Sequence, residues 1–235
     1  EQLNAHQEVT QTKEQHAAYY LQLLERSEPE IHSAQLGAWL NALESEHNNL
    51  RAALTWAIAN GDGTTALRLC GVLQWFWGFR GYCHEGKTWL EKSLLIQADV
   101  PQTVRAKALS AVGYMEHMLG NHAQAQKRVE ASLAIYQTLN DQRNVAEMSL
   151  QLAGIIRQQH HYAQAKFFYE QSFNLFQTLE EYGRIPRVHF GLGNLAMNQG
   201  DYRQARTHYE QALVGHRAYG DKYGMIEILP RLAQQ

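Results

Sequence analysis

The run Gly81-Tyr82-Cys83-His84-Glu85-Gly86-Lys87-Thr88 fits the pattern G-x-x-x-x-G-K-[ST]. In a phosphate-binding loop, backbone N–H groups cradle the phosphates, the lysine reaches them, and the hydroxyl holds Mg²⁺. That chemistry needs a strand before the loop and a helix after it. Leu67 to Phe79 is apolar at helical as well as continuous spacing, so it supports no strand. Tyr, Cys, His and Glu inside the loop suit a tight glycine-rich nest poorly. No later strand ending in Asp is evident to hold Mg²⁺. An ATPase using Gly81 to Thr88 therefore stands last among the readings.

Twelve histidines and two cysteines are the other candidates for chemistry. His117, His122, His160 and His161 fall near successive turns. Zinc needs about four ligands converging at ~2.0–2.3 Å. No H-x-x-x-H pair on one helix face and no cysteine pair supports such a site, so solvated turn histidines are expected and no metal. Cys70 and Cys83 are too few for a disulfide framework and read as buried, reduced thiols. There is no nucleophile elbow, metalloprotease signature or dinucleotide fingerprint. The expectation is a non-enzymatic chain without a cofactor.

What must position these side chains is a repeat. LGNHAQAQKRVEASLAIYQTL (Leu119 to Leu139) returns as QHHYAQAKFFYEQSFNLFQTL (Gln159 to Leu179) and as QGDYRQARTHYEQALVGHRAY (Gln199 to Tyr219). Ala125, Ala165 and Ala205 recur at a step of 40. Upstream stand Val112, Leu152 and Leu192, each followed by Gly or Ala. Downstream stand Val129, Tyr169 and Tyr209, then Ser132, Ser172 and Ala212. Large and small residues at three- and four-residue steps make a helix face with gaps for a neighbouring helix. GN, HH or GD between two such faces is a turn and a helix start. Each copy reads as a helical hairpin that must stack on the next to bury its apolar face.

These positions resemble the tetratricopeptide repeat: Leu and Gly on a first helix, a turn, then Ala, an aromatic and Ala on a second. The usual period is ~34 residues. Six extra residues per copy lengthen the helices by roughly 9 Å in total. The implied fold is an all-α, TPR-like α-solenoid, a right-handed superhelix of helical hairpins with a period of about 40.

In chain order, Ala5 to Ser27 reads as a helix, Glu28 to His32 as a break around Pro29, and Ala34 to Asn60 as helical. The polar run Glu44 to Asn49 is expected to bend or split that segment, with Ser45 as a cap. Gly61-Asp62-Gly63 is a stop. Thr64 to Gln97 is a degenerate further copy at a step of 39, with Leu73 matching Val112 and Gly86 matching Ala125. Its aromatics, Trp75, Phe76, Trp77, Phe79 and Trp89, are expected to seal the array against the N-terminal helices. The domains are thus a helical arm or linker over 1–62 and a repeat array over 63–235, with repeats near 64–100, 102–140, 142–180 and 182–220. A last helix starts near Asp221 and stops inside a repeat.

Composition sets bounds. The chain has 235 residues, 45% hydrophobic and 19% charged, which suits an ordered protein. A net charge of −2 gives no general pull towards nucleic acid or an anionic membrane surface. No apolar run approaches the ~20 residues of a membrane helix. No signal peptide is visible and the chain starts at Glu1, so a cytoplasmic fragment of a longer protein is expected.

A second resemblance covers the N-terminal part. WLNALESEHNNLRAALTWAIANGD (Trp39 to Asp62) and FWGFRGYCHEGKTWLEKSL (Phe76 to Leu94) are similar to the segment after the ATPase module in bacterial STAND-class signal-transducing ATPases, many of them LuxR- or AfsR-type transcriptional regulators. The matching residues include Glu44, Glu46, His47, Asn49, Arg51 and Trp56, then Arg80, Gly81, Glu85, Gly86 and Trp89. The resemblance implies a C-terminal sensor arm that restrains or releases an upstream ATPase; a plain assembly scaffold is the alternative. In tetratricopeptide arrays the first helix of each hairpin lines the concave surface. Carried over by register, the groove positions are Arg68, Trp75 and Phe79; Lys107, Tyr114 and His117; Glu147, Arg157 and Gln158; Arg187, Asn194 and Asn198. Met118 joins them if the groove is apolar on that side. Four of the twelve are cationic and one is acidic. The expected occupant is an acidic or carboxylate-bearing protein segment or peptide, or a small signal ligand.

Overall fold

The computed structural model describes residues 2–32, 35–97 and 99–233, and these are helical with no strand among them. Twelve α-helices follow in order: α1 Gln2–Ser27, α2 Leu36–Ser45, α3 His47–Ala59, α4 Gly63–Arg80, α5 Cys83–Leu94, α6 Gln102–Met118, α7 His122–Thr138, α8 Gln142–Gln158, α9 Tyr162–Thr178, α10 Ile185–Asn198, α11 Tyr202–Ala218 and α12 Lys222–Ala233. Short 3-10 helices lie at Glu28–His32 and Tyr182–Arg184. The chain divides into two compact units, 1–31 with 35–119 and 120–235 with 32–34.

In the first unit α4 packs against α5 and α6, and α1 packs against α3 and α4. Leu50, Leu54, Leu67, Leu73, Phe76, Trp77 and Leu90 are fully buried there. Trp75, Phe79 and Trp89 pack partly buried against that core. Of these aromatics Phe76 meets α3, edge-on to His47 at 5.0 Å, whereas Trp75 meets Tyr114 of α6 and Trp77 lies against Gly86 of α5. In the second unit α8 and α9 pair, α10 and α11 pair, and α9 packs on α10. Ala165, Tyr169, Ala205, Tyr209 and Ala212 are buried at the repeat positions. The all-helical, hairpin-by-hairpin fold is the one the 40-residue period dictates.

Tight approach explains the small residues. A Cβ on Gly193 would lie 2.6 Å from the Tyr209 ring, and one on Gly86 would lie 2.5 Å from Trp77 and 3.0 Å from Met115 Sδ. Turns reuse one geometry: Gly81, Gly120 and Gly200 end their helices with positive φ, and His160 takes the same place at φ 64°. Asp62, Asp141 and Asp201 cap helix starts by accepting from the backbone N–H three residues on, which satisfies a helix-terminal donor.

Two details differ from expectation. The segment after Pro29 splits at Glu46, but Ser45 does not cap α3: its hydroxyl donates to the Ala42 carbonyl. That bond holds the hydroxyl at the end of α2, away from the α3 amides. The expected helix start at Ala34 lies outside the described residues; α2 begins at Leu36.

Candidate partner-binding surface

The phosphate-loop pattern dissolves first. Gly81 is the left-handed cap of α4, φ 79°, and α4 occupies the place where a strand would have to run. Gly86 lies inside α5, pressed on Trp77, and Lys87 pairs with the buried Glu116 at 2.8 Å. The residues that spell the motif are spent on helix packing.

The N-terminal signature residues are brought together as a clasp. Glu85 on α5 accepts from Arg51 Nε at 2.7 Å and Nη2 at 2.6 Å, and from Trp89 Nε1 at 3.2 Å. His47 Nε2 stands 3.2 Å from the same carboxylate. Arg51 first, then Trp89, holds the Glu85 carboxyl below its usual range, against the opposing effect of burial. Tyr82 donates to Glu44 and Arg80 donates to Asn41. On the other side, Tyr20 of α1 and Asn49 donate to Glu46. Sequence matching singled out Glu44, Glu46, His47, Asn49, Arg51, Arg80, Glu85 and Trp89 without their role: with Tyr20, Asn41 and Tyr82 they fasten α2 and α3 to the α4/α5 hairpin and α1 to the α2/α3 junction.

The register-derived groove positions fall into two sets, one in each unit. In the first unit Arg68 forms a two-pronged pair with Glu25 of α1, at 2.8 and 2.7 Å. Lys107 pairs with Glu28 at 2.5 Å. Trp75 stacks on Phe79, ring centroids 6.4 Å apart, and meets Tyr114 at 5.4 Å. His117 is partly buried on α6, and Met118 is half exposed. The acids of the N-terminal segment thus neutralise two of the four expected cations, which position counting on the repeats alone does not reveal.

In the second unit Arg187 lies 3.2 Å from Glu147, whose other oxygen is 3.0 Å from Arg184. Arg157 is different. Among the described residues it has no carboxylate in salt-bridge range; its Nη1 donates to Asn198 Oδ1 at 2.6 Å, and its Nε is buried without an acceptor. Its charge also acts on the Tyr169 hydroxyl. Burial pushes the Tyr169 phenol up, and Arg157 opposes that shift. Asn194 Oδ1 accepts from the Tyr209 hydroxyl at 2.9 Å. With both amide oxygens engaged, the NH₂ groups of Asn194 and Asn198 remain as donors. One turn apart on α10, they stand with Arg157 as a donor-rich cluster. Gln158 is exposed beside it at the end of α8.

The thiols take no part. Cys70 and Cys83 are free and buried, and burial pushes the Cys70 thiol up to about 12. Histidine offers one arrangement that no turn position signals: His189 of α10 and His208 of α11 face each other, Nδ1 to Nδ1, at 3.3 Å.

Comparison with known proteins agrees with this architecture. Residues 104–178 and 186–214 match tetratricopeptide repeat family models, so the chain contains tetratricopeptide repeats. Proteins of Mycobacterium tuberculosis and Mycobacterium bovis that carry the provisional name HTH-type transcriptional regulator are 41% identical over 71 residues. That stretch is 28% of this chain, and the match spans 8% of the relatives' length. Among solved structures, the apo form of RapI covers 98% of this chain and 69% of its own, at a TM-score of 0.62 and 12% identity. BtubC from P. vanneervenii covers 93% and 90% at 0.53 and 16%, and MamA 75% and 94% at 0.53 and 15%. At such identities the likeness is one of fold.

Proposed function

We propose that this chain is a recognition and regulatory module that binds a protein segment or peptide through the outward positions of its first helices. Arg68, Trp75, Phe79, Lys107, Tyr114, His117, Glu147, Arg157, Gln158, Arg187, Asn194 and Asn198 are the candidate contacts. Residues 1–62 act as the arm that seals the array over 63–235. The observation that carries the reading is the donor excess at Arg157, Asn194 and Asn198. A guanidinium paired with no carboxylate among the described residues, beside two amide NH₂ groups, suits a carboxylate of the partner. The neutralised cations Arg68, Lys107 and Arg187 position this surface rather than attract charge over long range.

The parent of such a module is a STAND-type ATPase or an ATP-dependent transcriptional regulator in the bacterial cytoplasm, with the repeats as its sensor arm. The clasp residues shared with that class and the short match to the mycobacterial proteins support this. The arm itself contacts neither nucleic acid nor membrane in this reading. No helix among the described residues is long and apolar enough to cross a membrane.

An array of acidic peptides, each with a free or an amidated C-terminus, tests the contact. Arg157→Ala and Asn194→Ala are expected to weaken retained peptides by roughly 1–3 kcal/mol each, with the helical spectrum unchanged. Lys166→Glu, on α9, is expected to matter much less. Equal losses from Arg157→Ala and Lys166→Glu would place binding elsewhere. For the parent, deleting the arm is expected to change its ATP hydrolysis rate; an unchanged rate removes the sensor role and leaves assembly.

A further inference from the structure

The His189–His208 pair lies apart from the partner surface. On α10, His189 is five residues from Asn194, about 140° round the helix at ~3.6 residues per turn. The two rings are half buried and nearly parallel, with centroids 5.4 Å apart and planes 26° apart. Phe173 of α9 closes one side, edge-on to His189 at 5.5 Å. The same register in the preceding hairpin holds Ser149 and Phe168, so the pair belongs to this hairpin and not to the repeat.

Two neutral imidazoles that direct Nδ1 at each other need something between them. One Nδ1–H donating to the other is one solution. A metal ion accepting both lone pairs is the second, and the spacing suits it. With metal–nitrogen bonds of about 2.0–2.1 Å, nitrogens 3.3 Å apart subtend roughly 105–110° at the ion, close to the tetrahedral value. Imidazole nitrogen is a ligand of choice for Zn²⁺, Cu²⁺ and Ni²⁺.

We propose that His189 Nδ1 and His208 Nδ1 are the two protein ligands of a divalent transition-metal site, with Zn²⁺ as the representative ion, bridging α10 and α11. Packing supports it: both rings are half buried, and the edge of Phe173 holds His189 in place facing His208. Among the described residues no group of three or more His, Cys, Asp or Glu converges, so water completes the coordination and the ion exchanges readily. Lys166, whose charge acts on His208, opposes a cation here and further limits affinity.

Zn²⁺ titration of the 235-residue chain by calorimetry near neutral pH is the direct test. One equivalent is expected to bind, and His189→Gln or His208→Gln each to weaken it by at least about tenfold. Gln replacement of both turn histidines, His160 and His161, is expected to leave that equivalent in place. Because α10 or α11 variants can loosen the hairpin, ¹⁵N imidazole spectra of the unaltered chain provide a second reading. Zn²⁺ is expected to move the Nδ1 resonances of two histidines only, both in the Nε2–H form. No saturable binding, unchanged binding in both Gln variants, or zinc-induced shifts on the turn histidines alone would overturn the site and leave an imidazole N–H···N hydrogen bond.

Discussion

Single residues in this chain are chosen by backbone geometry as much as by chemistry. The turns after α7, α9 and α11 place Asn140, Glu180 and Gly220 in the left-handed region, at φ 54°, 56° and 69°. Only Gly is at ease there, and an L-residue costs about 1 kcal/mol or more. Glu180 is exposed, and its side chain adds nothing to the core. Glu180→Gly is therefore expected to raise stability by about 0.5–1 kcal/mol, net of the greater flexibility Gly gives the unfolded chain; chemical denaturation would read it as a higher midpoint with unchanged slope. Gly193 is the converse case. Gly193→Ala places a methyl 2.6 Å from the Tyr209 ring, an overpacking expected to cost about 1–3 kcal/mol. A midpoint equal to that of the parent chain would mean the α10/α11 approach is looser than these contacts imply.

Helices are the scale at which electrostatics becomes measurable. The Arg51–Glu85 clasp joins α3 to α5, but Arg51 is 44% exposed, so solvent screens the pair. Glu85→Gln is expected to cost about 1 kcal/mol near neutral pH. The sign of its pH dependence follows from the lowered carboxyl. The contribution is present above the ordinary carboxylate range and is lost as pH falls through the folded-state value. Melting curves of Glu85→Gln and the unaltered chain should therefore converge on acidification. The His189–His208 pair acts in the same direction for another reason: burial favours its neutral form. Its contribution is complete above the unfolded value of ~6.5 and declines as pH falls towards about 4. In metal-free buffer, His189→Gln is expected to flatten the loss of melting temperature between those limits; an unchanged slope would mean the pair takes up protons as readily in the folded chain as in the unfolded one. Helix order was legible because one spacing recurs at Ala125, Ala165 and Ala205. The clasp was legible only as a string of matching residues, since Arg51 on α3 and Glu85 on α5 meet across two turns and the whole of α4. The histidine pair was not legible at all. His189 and His208 are 19 apart in sequence and meet only because α10 and α11 run antiparallel. The neutralisation of Arg68 and Lys107 was hidden for a similar reason: Glu25 and Glu28 come from outside the repeat.

For the chain as a whole, a repeat protein is a sum of hairpins and their nearest-neighbour interfaces. The charges follow that logic. Within the second unit Glu147, Arg187 and Glu227 occupy one register position 40 residues apart, alternating in sign. Glu147 and Arg187 meet at 3.2 Å within the second unit. Such a ladder favours in-register stacking over a hairpin slipped by one repeat, which would set like charges side by side. Damage should remain equally local. Ala165 is fully buried on α9, and Ala165→Leu forces a large side chain into that seam, at about 1–3 kcal/mol. In a domain with one shared core the whole molecule would weaken together. Here native-state hydrogen exchange is expected to lose protection first in α8, α9 and α10, while amides of α3 and α4 keep theirs. Uniform loss across both units would mean that the chain unfolds as a single cooperative body. Loss confined to the second unit would mean that an effect of Arg157→Ala on partner binding can be measured while the clasp at Glu85 remains intact.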